Sequence, residues 1–304
     1  MTKKTIAISV GDINGIGCEL LLRNHKIVSS LCNPIYCIND DLLKQASQIL
    51  NIDIPIDFKT FQTHKNFKIK PGKVSKKSGR FSYLSFLDAI QLTKENKADG
   101  ICTMPINKKA WQKAGIKYVG HTDMLRDIFK TDAIMMLGCE QMYVALFTEH
   151  IPLKKVAKEI TKNKLFNFLD KFFRSEKPSK VAVLGLNPHA GDDGVLGNEE
   201  KEIAKAIKKI NDVLGSEIFV GPFVPDTIFT PQMREKFKYF IAMYHDQGLA
   251  PLKALYFEEG INVSLGLPIK RTSVDHGTAF DKAYKPDSNI SNLSYINAIK
   301  KLIE

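Results

Sequence analysis

Short apolar runs alternate with segments of helical period along most of this chain, and that alternation constrains its fold more than any other feature. "KTIAISV" reads as a strand, and "GIGCELLLRNHKIVSSL" after it carries Leu20, Leu21, Ile27 and Leu31 at helical spacing. "PIYCIN" is a strand, followed by the helix "DDLLKQASQILNI" with Asp40 or Asp41 as its cap. "SYLSFLDAIQLTKENK" predicts an amphipathic helix entering the strand "GICTMPI". Further on, "KVAVLGL" precedes the helix "NEEKEIAKAIKKINDVL", and "YFIAMY" precedes the helix-like "APLKALYF". Strands alternating with helices predict an α/β fold with a largely parallel sheet. "AIMMLGCEQMYVALFTEH", Ala133 to His150, breaks the pattern: two strands joined at "GCEQ" make a hairpin, so antiparallel strands and a second domain are expected mid-chain. No internal repeat and no Pro- or Ser-rich linker separates the parts, so the second domain is expected as an insertion.

The length, 304 residues, suffices for two domains. No apolar run approaches the roughly 18 residues that cross a bilayer. The N-terminal "MTKKTIAISVGD" reaches Gly11 and Asp12 too soon for a signal peptide and reads as a first strand. Five cysteines, Cys18, Cys32, Cys37, Cys102 and Cys139, are odd in number and form no C-x-x-C pair. Neither a disulfide framework nor a zinc ribbon is indicated, and a reducing cytoplasm is the expected location. The net charge of +11 suits nucleic acid, an anionic membrane surface or an anionic small molecule, with a lean to the last. Its densest basic run, "KNFKIKPGKVSKKSGR" from Lys65 to Arg80, reads as a solvated loop marked by Pro71, Gly72 and Gly79.

In open α/β sheets ligands bind beyond the carboxyl ends of strands. After the first strand comes "GDINGIG", Gly11 to Gly17, opening a helix; it suits close backbone approach to an anion, and a tight strand-to-helix turn explains it equally well. No G-x-G-x-x-G, Walker loop or G-x-S-x-G elbow occurs. Of the seven histidines, His25 and His64 read as surface residues in a helix and a polar loop. His150 ends "MYVALFTEH", His189 ends "VAVLGLNPH" and His245 ends "FIAMYH". Three imidazoles just past buried strands have the composition of a divalent-metal site with open positions, against the alternative that each is a hydrogen-bonded structural residue. Asp226 and Asp246 lie near these ends and suit orienting or ligating roles, with a turn or cap as the competing reading for Asp226. Lys253, Asn262 in "GINVSLGLP" and Arg271 after Pro268 are cations and donors suited to a phosphate or carboxylate. His121 and Thr122 in "GHTDML" add donors at a helix start.

"GDINGIG", "GHTD", "LNPHAG", "YHDQGL" and "RTSVDHGTA", in that order, resemble the 4-hydroxythreonine-4-phosphate dehydrogenases of vitamin B6 biosynthesis over nearly the whole chain. The resemblance implies an NAD- or NADP-dependent oxidation of 4-phosphooxy-L-threonine to a β-keto acid that decarboxylates to 3-amino-2-oxopropyl phosphate. It implies one divalent metal (zinc, magnesium or cobalt) held by His150, His189 and His245. A homodimer is implied, with the active site shared across the interface. Substrate contacts carry over to His121, Thr122, Lys253, Asn262 and Arg271, and catalytic roles to Asp246, Asp226 and Lys253. Cofactor contacts carry over to Gly11, Asp12 and Gly15, and to Asp275, His276, Gly277, Thr278 and Ala279 in "DHGTAFDKA". The fold implied is a two-domain α/β/α sandwich of the isocitrate and isopropylmalate dehydrogenase type, with a mixed sheet and no conventional Rossmann site. Its first domain is expected at 1–125 plus 250–304. The second, at 126–249, is expected to carry the metal ligands and dimer contacts. The opening motif departs from the family pattern, which has prolines at Ile13 and Cys18 and alanine at Asn14. Alternatives from the same residues are a sister dehydrogenase of threonate or erythronate 4-phosphate and, more remotely, a metal-dependent phosphatase or lyase. No nucleic-acid or membrane partner is expected.

Overall fold

The structure is a computed structural model and describes residues 2–61, 66–285 and 288–304. His64 lies outside the described residues. The chain divides into two compact units, Met1–Thr131 with Leu267–Glu304, and Asp132–Gly266.

In the first unit the order is β1 (Thr5–Ser9), α1 (Gly17–Leu31), β2 (Asn33–Cys37), α2 (Asp40–Leu50), α3 (Lys76–Lys94), β3 (Gly100–Thr103), α4 (Lys108–Lys113) and α5 (His121–Phe129). The second unit holds β4 (Ile134–Cys139), β5 (Met142–Leu146), α6 (Leu153–Glu159), α7 (Lys162–Glu176), β6 (Val181–Leu184) and a short turn helix at Pro188–Gly194. It continues with α8 (Glu199–Leu214), β7 (Phe219–Phe223), α9 (Pro231–Lys236), β8 (Tyr239–Ala242), α10 (His245–Tyr256) and β9 (Ile261–Leu265). The chain closes the first unit with β10 (Arg271–Val274) and α11 (Leu293–Ile303).

The first unit's strands run in the order β2-β1-β3-β10, all parallel. Both faces of β1 are apolar, as a parallel sheet covered on two sides requires. Ala7 joins Ile35, Cys37 and Ile101 against Phe86 and Trp111, while Ile6, Ile8 and Tyr36 are buried as well. On β10, Thr272 Oγ1 donates to Ala298 O of α11 at 2.9 Å. In the second unit the order is β9-β4-β5-β8-β6-β7. β4 is antiparallel to both β5 and β9, and the remaining pairs are parallel. One apolar cluster packs Val144, Leu146, Ala182, Phe240 and Ala242 with Leu249 and Leu252 of α10. The "GCEQ" hairpin expected from the sequence is the β4–β5 pair, and the α/β class with a mixed sheet is as expected.

Several local expectations change. Asn39, not Asp40 or Asp41, caps α2: its Oδ1 accepts from Leu42 N at 2.8 Å. α3 begins at Lys76, ahead of the expected "SYLSFL", because Ser75 caps it by accepting from Ser78 N. Gly79 therefore lies inside that helix, where an added Cβ would fall 2.2 Å from Ala110 O. His25 is not a surface residue but 2% exposed, with Nδ1 2.9 Å from Tyr36 Oη and Nε2 3.0 Å from Asp57 Oδ1. The chain returns to the first unit at Leu267, not near residue 250, because β9 pairs with β4 and α10 packs on β5.

Candidate active site

In the second unit the parallel pairing of β5 with β8 continues past both strands. Phe147 N donates to Ala242 O at 2.9 Å, and Thr148 Oγ1 donates to Met243 O at 2.6 Å. The two segments therefore leave the sheet side by side, and the rings of His150 and His245 lie 5.5 Å apart between centroids. His245 Nδ1 is 2.7 Å from Asp246 Oδ1. An ionised carboxylate only accepts, so Nδ1 is the donor in this contact.

His245 does not end a strand; it opens α10, and the helical turn sends the adjacent Asp246 and Gln247 in different directions. Asp246 is exposed, whereas Gln247 points inward. Gln247 Oε1 accepts from Met243 N and its Nε2 donates to Gly185 O, both at 2.7 Å. Gly248 lets the helix sit against the sheet: a Cβ there would fall 2.4 Å from Val144 Cγ1 and 2.8 Å from Ala242 Cβ. Gln247 thereby ties the end of β6 to the start of α10.

Beyond β6, the buried Glu200 accepts from Leu186 N at 2.9 Å, Asn187 N at 2.7 Å and Asn187 Nδ2 at 3.0 Å. This anchors a left-handed stretch in which His189, Ala190, Gly191, Asp192 and Asp193 all have φ between 44° and 84°. For L residues that conformation costs roughly 1–2 kcal/mol each, so the segment exists by virtue of its anchors. His189 is exposed on it. Among the described residues no group of three or more His, Cys, Asp or Glu side chains is gathered closely enough to hold a metal ion. One chain thus brings two imidazoles together and presents the third separately. Asp226 is an exposed turn residue after β7, and among the described residues no histidine bonds to it. Lys253, on α10, carries its Nζ 5.8 Å from the Phe257 ring centre. Asn262, opposite Leu137 on β9, has a buried Oδ1 with no hydrogen-bond partner among the described residues.

In the first unit α5 starts at His121, with Thr122 next to it. The His121 ring packs edge-on to Phe86 at 4.5 Å and Trp111 at 5.7 Å. Burial, assisted by the Arg271 charge, holds its pKa well below the usual 6.5, so the imidazole is neutral at pH 7. Its buried Nε2 has no hydrogen-bond partner among the described residues. Arg271 does not follow a strand but opens β10, 3% exposed, and its Nη2 donates to Thr103 Oγ1 at 2.8 Å. Burial lowers its pKa to about 10, which leaves it a cation at neutral pH. A buried guanidinium acting on a neutral imidazole with an unused nitrogen makes a receptor for an anion.

The two loops read as cofactor contacts also meet in this unit. Ile16 N donates to Thr278 O at 3.1 Å, and a Cβ on Gly15 would fall 2.6 Å from the same oxygen. Gly11, at φ 71°, lies where a Cβ would be 2.3 Å from Pro105 O. Asp12 accepts from Asn14 N at 3.1 Å and from Ser78 Oγ at 3.2 Å, while burial pushes its pKa up to about 6. Across the junction Asp275 N donates to Ser294 Oγ at 3.0 Å. His276 Nε2 is buried without a hydrogen-bond partner among the described residues, a Cβ on Gly277 meets nothing within 4 Å, and Ala279 is left-handed at φ 41°. An unused ring nitrogen beside bare backbone fits a planar, hydrogen-bonding group such as an adenosine.

The family described as pyridoxal phosphate biosynthetic protein PdxA matches residues 30–302. The chain belongs to this family. It is 61% identical to a 4-hydroxythreonine-4-phosphate dehydrogenase of Sulfurimonas denitrificans, covering 100% of this chain and 98% of that protein. With the enzyme of the same name from Campylobacter fetus it shares 53%, covering 100% and 99%. A crystal structure of a 4-hydroxythreonine-4-phosphate dehydrogenase from Burkholderia phymatum superposes with a TM-score of 0.82 at 31% identity, covering 99% of this chain and 98% of that one. A terephthalate 1,2-cis-dihydrodiol dehydrogenase from Burkholderia xenovorans, at 19% identity and TM-score 0.71, shares the fold alone.

Within this PdxA-family chain, sequence reasoning missed four residues that the structure places in or under the site. Thr103 ends β3, and the same inspection of strand ends that found the histidines would have found it. Gln247 and Glu200 are polar residues whose inward orientation sets the strand ends. Asn14, 1% exposed, accepts from Lys70 N at 2.9 Å and donates to Lys73 O at 2.7 Å, contacts to a distant loop that no local signal announces.

Proposed function

We propose that this PdxA-family chain oxidises 4-phosphooxy-L-threonine with NAD or NADP, as a step of pyridoxal phosphate biosynthesis. The product is a β-keto acid that loses carbon dioxide to give 3-amino-2-oxopropyl phosphate. The observation that carries this reading is the buried Arg271 beside the neutral His121, whose Nε2 is unused. A dianionic phosphate answers both: it takes a charge-assisted bond from the guanidinium and a neutral bond from the imidazole. The Thr103 hydroxyl fixes the guanidinium for that task, and Thr122 adds a hydroxyl from the first turn of α5. For Lys253 and Asn262, substrate contact is proposed on the resemblance of their motifs.

The bound nicotinamide supplies the hydride acceptor. We assign its adenosine side to the junction of Gly11, Asp12 and Gly15 with Asp275, His276, Gly277, Thr278 and Ala279. We assign a divalent cation, zinc, magnesium or cobalt, to His150, His189 and His245, with one of the three contributed by a second subunit of a homodimer. That His150 and His245 meet in one chain while, among the described residues, no group of three gathers supports the sharing. Such a cation supplies Lewis acidity toward the alcohol and the later enolate. Asp246 orients His245 through Nδ1, and we assign it, ahead of Asp226, to accept the hydroxyl proton.

The test is absorbance at the NADH band with purified protein and each candidate substrate. NADH formed with 4-phosphooxy-L-threonine, and little with its dephosphorylated form, is the expected result. Faster turnover on threonate or erythronate 4-phosphate would reassign the chain to the sister activity. Phosphate release without NADH would refute the dehydrogenase reading.

A further inference from the structure

The basic loop is not a bystander. Lys68, Lys70, Lys73, Lys76, Lys77 and Arg80 are all exposed, and none has a carboxylate partner among the described residues. No acidic residue occurs between Asp57 and Asp88. Like charges this close repel one another, and a loop free to move would spread them into solvent. This loop is instead held in place: Gln45 bonds Phe67 O at 3.1 Å and Ile69 N at 3.3 Å, and the turn that follows is clamped by one buried side chain, Asn14. Asn14 Oδ1 accepts from Lys70 N at 2.9 Å, its Nδ2 donates to Lys73 O at 2.7 Å and to Ser75 Oγ at 3.4 Å, and its carbonyl accepts from Gly72 N at 2.8 Å. Ser78 Oγ adds a bond to Asp12 at 3.2 Å.

The turn so clamped lies against the far side of the same junction: at Gly72, φ 68°, an added Cβ would fall 2.7 Å from Phe280 O. Three segments distant in sequence, around Asn14, Gly72 and Thr278, therefore form one rim in the first unit. Two of them are the loops assigned above to the dinucleotide. The third brings cations with no counter-charge, and the first turn of α3 contains no acidic residue to neutralise that helix terminus.

We propose that Lys70 and Lys73, on either side of the Gly72 turn, bind the phosphate groups of the dinucleotide cofactor, and that Asn14 is the positioning residue that holds them there. This rests on the dehydrogenase reading. The shared chemistry is a phosphate taken by ammonium groups, from either the pyrophosphate of both cofactors or the additional 2′-phosphate of NADP.

The experiment is calorimetric titration of NADH and of NADPH into wild type, the double variant Lys70→Gln/Lys73→Gln, and Asn14→Ala, at low and at high salt. For the double variant, cofactor Kd rises about tenfold or more at low salt, and its salt dependence flattens because exposed ion pairs are what salt screens. The melting temperature and the affinity for inorganic phosphate stay those of wild type. An equal loss for both cofactors identifies the pyrophosphate; a loss confined to NADPH identifies the 2′-phosphate. For Asn14→Ala, which keeps both lysines, the salt dependence persists with a smaller loss. Wild-type binding with a double variant inside twofold for both cofactors overturns the phosphate assignment alone. A wild type that binds neither cofactor overturns the dehydrogenase reading and this one with it.

Discussion

Replacing Gln247 by leucine keeps the apolar volume of the side chain and removes its two hydrogen bonds. Met243 N–H and Gly185 C=O, both on buried residues, then lose the partners they have at 2.7 Å. Leaving a buried polar group unsatisfied costs about 1–3 kcal/mol, so the pair amounts to about 2–6 kcal/mol. For a chain of this size a urea m-value of roughly 3 kcal/mol/M converts this into a fall in midpoint of about 1–2 M. Equilibrium urea unfolding followed by far-UV circular dichroism reads that shift directly. Gln247→Glu separates hydrogen bonding from volume. Its carboxyl can still accept from Met243 N–H, but its second oxygen faces Gly185 O and needs a proton to bond it. The folded pKa of the new carboxyl therefore rises above its unfolded value near 4.3. A raised acid gives its stabilisation below the unfolded pKa and loses it as pH climbs through the folded one. The glutamate variant should match wild type near pH 4 and fall below it by pH 7. Leucine within about 0.5 kcal/mol of wild type, or a glutamate deficit that ignores pH, would refute the tie between β6 and α10.

Asp12 carries a carboxyl raised by burial from the usual 3.8 to about 6. Its favourable contribution is thus complete below about pH 4 and is lost as pH rises through 6, by about 3 kcal/mol at ~1.4 kcal/mol per pH unit. Asp12→Asn, which retains an acceptor for Asn14 N, should melt higher than wild type at pH 8 and equal to it near pH 4 in scanning calorimetry. Gly15→Ala puts a Cβ 2.6 Å from Thr278 O, so a loss of about 1–3 kcal/mol should accompany a raised KM for dinucleotide; unchanged values for both would show that the two loops separate freely. Mixing inactive His189→Ala with inactive His245→Ala subunits should restore NADH formation, since one of the two shared sites escapes both lesions; a mixture as inactive as its components rejects the sharing.

The class of the fold was legible because strand and helix periods are local properties. The β4–β5 hairpin announced itself by two apolar runs around "GCEQ". What failed was local chemistry settled by distant partners. His25 reads as a helix-surface residue until Tyr36 and Asp57 are placed on its two ring nitrogens. Arg271 reads as a loop cation after Pro268, yet it is a buried strand residue because Thr103, 168 residues earlier on the neighbouring strand β3, stands to receive it. Gly79 reads as a loop marker, and its cause is the carbonyl of Ala110. At the site, the histidines at strand ends were visible, and so was their meeting in part: pairing of β5 with β8 dictates that His150 adjoin His245. The position of His189 depends on the left-handed segment under Glu200, which no periodicity describes.

The two histidine environments divide the labour in a way that burial alone explains. In the second unit His150 and His189 are exposed and His245 keeps a carboxylate on Nδ1, so these rings remain polar groups in reach of solvent and ligand. In the first unit His121 is enclosed by Phe86 and Trp111 and held neutral. An enclosed imidazole whose Nε2 goes unused forfeits about 1–3 kcal/mol of hydrogen bonding, and a fold has no structural reason to retain it where leucine would pack. A ligand that supplies the missing partner recovers that energy on binding, and a neutral ring beside Arg271 adds a donor without adding a second repelling cation. The unused nitrogen is therefore the feature from which an anion-binding role follows, whereas Arg271 by itself would fit equally well as a structural cation.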